Sequence, residues 1–370
     1  MIIIDFLMDW IVPFLFILTV LVFAHELGHY WVARRCGVRV EVFSIGFGPE
    51  LFGKTDRHGT RWKFSALPLG GYVKMFGEHA ESEEESPLSP AERKVAFTHK
   101  SVGKRAAIVA AGPVANYLLA IVLFAGMFAI IGNPRLLAVV GSVVEDSAAA
   151  EAGFQPGDRI IQVAGEPIEW FDDLRGIVAA NPGVPVEVRL VRGNEEVMLT
   201  ATPRPAPPGE GEAGAAGRGQ LGVIADSAQL GYVRDGPLTA SWRAVQMSYD
   251  LTVRILAYVG QVVVGQRSAE DIGGPIRIAH MAGEMADQGF RELFYLMAVL
   301  SVNLGLINLF PIPMLDGGHL VFYAAEAIRG RPLAARFQEY GLRFGLLLVF
   351  LIMILVIWND VVNLPVFENI

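Results

Sequence analysis

HELGH, residues 25–29, directly follows WIVPFLFILTVLVFA (10–24), fifteen residues without a charge. Such a run belongs in hydrocarbon, where two histidines and a glutamate are expensive and mark function. The chain must therefore fold so that other segments reach those three polar side chains inside a bilayer. Composition agrees: 53% of the 370 residues are hydrophobic, only 18% are charged, and mean hydropathy is +0.43. These values exclude an ordinary soluble protein and point to a membrane protein with soluble insertions. A net charge of −8 excludes a nucleic-acid partner, which needs a basic face. Cys36 stands alone, so neither an intramolecular disulfide nor a cysteine-based zinc site is available.

Membrane spans need roughly 17–25 mostly apolar residues. Four segments qualify, some only with their flanks: about 8–28, a stretch within 106–134, 293–315, and the short run 344–359. The first lacks a basic leader and a small-residue cleavage site, so it is predicted as a retained span. Thirteen Lys or Arg residues lie from Arg34 to Arg105, and four more, Arg329, Arg331, Arg336 and Arg343, separate the last two spans. The first ten residues and the tail after Trp358 carry none. The positive-inside rule then places both basic segments in the cytoplasm and residues 135–292 outside. Within the latter, Trp242, Val245, Tyr249, Val253, Leu256, Val259 and Val263 recur every three or four residues, and Arg254 interrupts the run. That pattern predicts an amphipathic helix on the outer membrane surface and not a fifth span.

The soluble stretches differ in kind. Residues 138–203 alternate as short strands and turns, with a hairpin signature at Gly193-Asn194. PRPAPPGEGEAGAAGRG (203–219) reads as a linker unable to form a core, and ESEEESP (81–87) as a solvated charge run. TRWKFSALPLGGYVKMF (60–76) is aromatic-rich and partly alternating, and reads as a β-hairpin dipping into the membrane beside a cavity.

On a helix, His25 and His29 are one turn apart, so both imidazoles can reach one Zn²⁺, with Glu26 beside them to take a proton from water. Zinc lowers the pKa of a bound water toward ~7, which makes hydroxide available at neutral pH. A third ligand must come from another span at the same depth. Asp316, in NLFPIPMLDGGH (308–319), is the only carboxylate at the end of the third span. Three spans up to Asp316 deliver it to the same membrane side as HELGH. His319, three residues on, is the rival ligand. Asn116 and Asn308 lie in spans, either as helix–helix glue or as partners for an unwound substrate backbone.

HELGH, GFGPELFG (46–53), WKFSALPLGGYVKM (62–75), AGPVANYLLA (111–120) and SVNLGLINLFPIPMLDGGHL (301–320) together resemble the site-2 proteases, the zinc intramembrane metalloproteases, in their RseP-like bacterial branch. AAEAGFQPGDRIIQVAGEPI (149–168) likewise resembles a PDZ domain. The resemblance implies zinc on His25, His29 and Asp316, and Glu26 as the catalytic base. It implies a β element that holds substrate, with Phe64, Ala66, Leu67, Gly70 and Gly71 as its contacts, and it favours a substrate role for Asn308, while Asn116 is either a substrate contact or helix–helix glue. It further implies single-span membrane proteins as substrates, such as anti-sigma factors or signal-peptide remnants, in a bacterial inner membrane. Well-known enterobacterial members carry two PDZ domains, whereas one is legible here; it serves either as a peptide C-terminus binder or as a spacer.

The expected architecture is a polytopic α-helical membrane protein with about four transmembrane helices, a membrane-associated β element and one inserted β-rich PDZ domain. Its expected divisions are 1–134, with two spans and the cytoplasmic β loop; 135–203, the PDZ domain; 204–219, the linker; 220–292, an amphipathic helical region; and 293–370, the last two spans. A reporter fused near residue 80 should read out as cytoplasmic and one near residue 210 as periplasmic. A cytoplasmic signal at 210 would reverse the orientation.

Overall fold

The computed structural model describes residues 7–78, 88–206, 217–267 and 273–362. The charge run 81–87, and the part of the predicted linker from 207 to 216, lie outside the described residues. The chain divides into two compact units, Phe128–Gly236 and a second made of Met1–Met127 with Pro237–Ile370.

A π-helical turn (Leu7–Ile11) leads into α1 (Val12–Arg35), with Pro13 in the first turn, where its missing N–H costs no helical bond. Arg34 and Arg35 close the helix, where cations suit the dipole. Two long bent strands follow, β1 (Val40–Thr55) and β2 (Arg61–Met75). The register shows that they form more than the simple hairpin expected at 60–76. Residues 42–45 pair with 61–64 on one side and 71–74 on the other, while 61–64 also pair with 52–55. The two strands therefore fold back to give four ribs in the order 71–75, 40–45, 61–65, 50–55. The bends need glycine: Gly46 has φ +88°, and a Cβ there would press on the Leu67 carbonyl at 2.7 Å. At the 55–61 turn, Asp56 accepts from Tyr30, Trp62 and the backbone N–H groups of His58 and Thr60. Burial alone would push its carboxyl up; these hydrogen bonds outweigh it and hold the group below its usual range.

Helix α2 (Pro90–Val95) starts from a Ser89/Glu92 capping box, and α3 (Val102–Ile130) carries Pro113 in its interior. Ala33, Val38, Val40, Phe43, Val73, Phe97 and Ile108 form one core joining α1, the sheet and α3.

The other unit begins with β3 (Asn133–Leu136) and β4 (Val140–Val143), then α4 (Ala148–Ala152), β5 (Arg159–Val163), β6 (Glu166–Pro167) and α5 (Phe171–Ala180). It continues with β7 (Val186–Arg192) and β8 (Glu195–Ala201), which give a sheet of order β6-β5-β7-β8. The β7–β8 hairpin turns at Gly193-Asn194, where Gly193 supplies the positive φ of +62° that a two-residue turn needs. Strands β9 (Arg204–Pro205) and β10 (Gly219–Gln220) pair across the Pro/Gly segment. Beyond it, β11 (Val223–Ala225) returns to β4 and β12 (Leu230–Val233) to β3. Residues 219–233 thus join the β-rich unit, and the helical region expected from 220 begins only at 237. The reason is that β3 and β4 would otherwise expose unpaired edges. The unit is an inserted β-rich domain, as expected, with a core of Val140, Ile160, Val163, Leu174, Val188 and Leu190.

Helix α6 (Pro237–Val263) turns Trp242, Val245, Tyr249, Val253 and Leu256 outward, while Ala240, Ala244 and Ser248 are buried. By length and composition it is not among the candidate spans of the described residues. Then come α7 (Pro275–Gln288), α8 (Phe290–Asn308), α9 (Asp316–Arg329) and α10 (Ala335–Val362). Among the described residues, four helical segments are long and apolar enough to cross a membrane: Met8–Arg35, Val102–Ile130, Phe290–Asn308 and Arg336–Val362. The third is shorter than the expected 293–315. Pro311 and Pro313 remove backbone donors and disfavour helix before them, so α8 stops at Asn308 and residues 309–315 form an irregular link.

In the β-rich unit, fully buried Asp158 takes a two-pronged bond from Arg192, at 2.7 and 2.8 Å. Arg192→Met should strand that carboxylate and destabilise the unit by roughly 3 kcal/mol. Limited proteolysis of the intact chain should then cut within 128–236 faster while zinc content stays at the wild-type level; unchanged proteolysis would contradict it.

Candidate metal centre

The hydrophobic helix α1 presents His25 and His29 on one face. Their Nε2 atoms stand 3.2 Å apart. Asp316, the first residue of α9, brings Oδ2 to 3.2 Å from Nε2 of His25 and 3.5 Å from that of His29. A tetrahedral ion with ligand bonds of about 2.0–2.1 Å separates its ligand atoms by about 3.3–3.4 Å. Asp316 Oδ2 is buried without a hydrogen-bond partner, though two imidazole nitrogens face it. Three acceptor atoms closing on one point, spaced as the edges of that tetrahedron, fit a zinc ion between them.

The surroundings aim these atoms. His29 Nδ1–H donates to the Ile108 carbonyl at 2.9 Å, which leaves the Nε2 lone pair facing the cluster. Gly112 of α3 gives the rings their room, since a Cβ there would collide with His29 Nε2 and lie 2.8 Å from His25 Cε1. Gly28, inside HELGH, allows α1 to lie against the Ala111 carbonyl of α3. The link before Asp316 is strained: Met314 has φ +90° although it is not glycine. A Cβ at Gly317 or Gly318 would strike the carbonyls of Phe310 and Ile312, which explains why glycines must follow Asp316.

A cavity of about 640 Å³ opens on the cluster. His25, Glu26, His29 and Asp316 line it, as do Asn308, Gly71 and His319. A Cβ on Gly71 would sit 3.2 Å from Glu26 Cγ, so the 71–75 rib runs directly past the glutamate. Tyr72, Val73 and Met75 add to the same wall, and no second strand pairs with this rib's outer edge among the described residues. His319 reaches the cavity but stays outside the cluster of three. Phe64, Ala66, Leu67 and Gly70 do not line the cavity; Phe64 and Leu67 are exposed on the sheet. Asn116 is fully buried and does not line the cavity either; its amide touches His25 Nδ1 at 3.1 Å. Sequence reasoning missed Gly112 and the Arg105–Glu326 pair, at 2.6 Å, which forms a polar part of the cavity lining. Gly112 gave one signal, a glycine within an apolar span, which marks close helix contact.

Two histidines one turn apart on a helix of membrane-spanning length, met by a carboxylate at the start of a short helix and set beside a glutamate, are the equipment of a membrane metallohydrolase. The sequence profile of peptidase family M50 matches residues 13–352. A protein of Agrobacterium fabrum, provisionally named a zinc metalloprotease, is 45% identical over 366 residues, which cover 97% of each chain. Metalloprotease MmpA of Caulobacter vibrioides is 39% identical over 386 aligned residues, with 97% of this chain and 96% of that one covered. The chain belongs to peptidase family M50 and is a zinc metalloprotease. Among solved structures, the PDZ domain of the SdrC-like protein from Listeria monocytogenes aligns with 24% of this chain and 87% of that domain, at 16% identity and a TM-score of 0.21.

Gly112→Val should empty the metal site without touching a ligand. Zinc per chain, measured by elemental analysis of purified protein, should fall from about one to near zero, the expectation when a three-ligand site loses the room for its two imidazoles. Full occupancy in this variant would show that the rings do not close on an ion beside α3.

Proposed function

We propose that this metalloprotease cuts a peptide bond within the transmembrane segment of single-span membrane proteins. His25, His29 and Asp316 hold the zinc, and Glu26 is the general base. The observation that carries the reading is the placement of the histidine pair on a membrane-spanning helix, with the carboxylate delivered by the link after another such helix. Bound there, zinc supplies a Lewis acid for the scissile carbonyl and an acidified water. Glu26 accepts the proton of the attacking water and passes it to the leaving amide nitrogen.

A substrate helix hides its carbonyls and must unwind before it is cut. The outer edge of the 71–75 rib offers its backbone groups for strand addition, which offsets hydrogen bonds that the substrate loses in the membrane. Gly71 admits the substrate backbone close to Glu26, and Asn308 holds a substrate peptide group across the cavity. Arg105 and Glu326 keep part of the lining polar, which favours water next to the reacting bond. By charge asymmetry the site lies toward the cytoplasm of a bacterial inner membrane and the PDZ-type domain lies in the periplasm. There it meets the trimmed ends of substrates such as anti-sigma factors or signal-peptide remnants. The divisions 1–134, 135–203 and 293–370 follow from the same reading, with the β-rich domain carried on to residue 233.

Glu26→Gln keeps side-chain shape and removes the proton acceptor. In liposomes with a model single-span substrate containing helix-breaking residues, cleavage should fall at least ~10²-fold, the lower end for general-base contributions, while zinc content is kept. Cleavage at the wild-type rate would remove Glu26 from the mechanism.

A further inference from the structure

Residues 108, 112 and 116 follow one another at i, i+4 and i+8 along the face of α3 turned to HELGH. The first gives a carbonyl to His29 Nδ1 and the second gives space to both rings. The third, Asn116, sets its amide nitrogen 3.1 Å from His25 Nδ1, with Oδ1 buried and no donor reaching it. A neutral imidazole carries one ring hydrogen. If His25 gives its Nε2 lone pair to a metal, that hydrogen must sit on Nδ1, and an amide nitrogen there would set donor against donor. The oxygen and nitrogen of an amide have nearly the same shape and are told apart by their partners. Turned over, Asn116 Oδ1 accepts the Nδ1–H of His25, and the two histidines are held by the same device.

We propose that Asn116 is a positioning residue for the metal site, its side-chain carbonyl fixing His25 in the tautomer that ligates zinc; this rests on His25 being a ligand. A substrate contact does not suit Asn116, which is fully buried and outside the cavity lining. Helix pairing does not need its side chain, because the Ser301 hydroxyl of α8 donates to its backbone carbonyl at 2.8 Å.

Zinc affinity of the purified full chain in detergent, measured by competition with a chelator, tests this. Asn116→Ala should weaken zinc binding ~10- to 100-fold, the usual effect of losing a histidine's outer partner. Asn116→Asp, whose carboxylate accepts the same hydrogen, should stay within about threefold of wild type. Wild-type affinity in Asn116→Ala would overturn the proposal. Loss in Asn116→Asp equal to that in Asn116→Ala would overturn it too, by showing that packing and not acceptance at Nδ1 matters. If the alanine variant fails to fold, the aspartate variant decides. Wild-type protein without zinc would instead refute the metal site itself.

Discussion

Two imidazole nitrogens and a carboxylate oxygen crowd within 3.5 Å of one another inside a bundle of apolar helices. Three polar groups so placed are costly apart from a shared cation, and their spacing fits one. Most other features of the membrane unit serve that convergence. Glycines sit wherever one backbone must approach another: Gly28 against Ala111, Gly112 against both rings, Gly305 against Pro113 and Tyr117, and Gly345 against Pro313. The last contact presses α10 onto the strained link that carries Asp316. Small residues at these crossings replace the hydrophobic drive that helices lose inside lipid.

The second demand is opposite in kind, because hydrolysis needs water and an extended peptide in the same place. The cavity meets it with apolar lining from Val73, Met75 and Leu315 and polar lining from Arg105, Glu326 and Asn308. Irregular backbone at this depth is tolerated where it lines such a cavity, and the 309–315 link is of that kind. The four-ribbed sheet lies on α1, and its 71–75 rib passes close to Glu26 at Gly71. Fold and chemistry therefore meet at Gly71, the one rib residue whose missing side chain opens the way to the glutamate.

The sequence made some of this legible. HELGH and Asp316 stood out because charge in hydrocarbon is costly, and counting spans put them on one side. The apolar stripe of α6 and the turn at Gly193-Asn194 were readable from periodicity and turn chemistry. Less could be read where local pattern and tertiary pairing part. Gly46 and Gly48 bend β1, so its alternation breaks and the four ribs are hidden in what looks like one hairpin. Strands β11 and β12 are short and follow a Pro/Gly segment, and only the open edges of β3 and β4 explain their return. The stop of α8 at Asn308 was blurred by apolar residues that continue through the proline-broken link. Gly112 and Asn116 stood out only as a small and a polar residue in an apolar span, and neither feature says that they face the histidines.

The central claim is that the zinc is held by two histidines of one span and a carboxylate that follows another. Zinc K-edge X-ray absorption on the purified protein tests it most directly. The account predicts two imidazole scatterers and oxygen neighbours at about 2.0–2.2 Å, with no sulfur, and only one imidazole left in any metal retained by His25→Ala. A shell of three imidazoles, or one unchanged by that substitution, would contradict it.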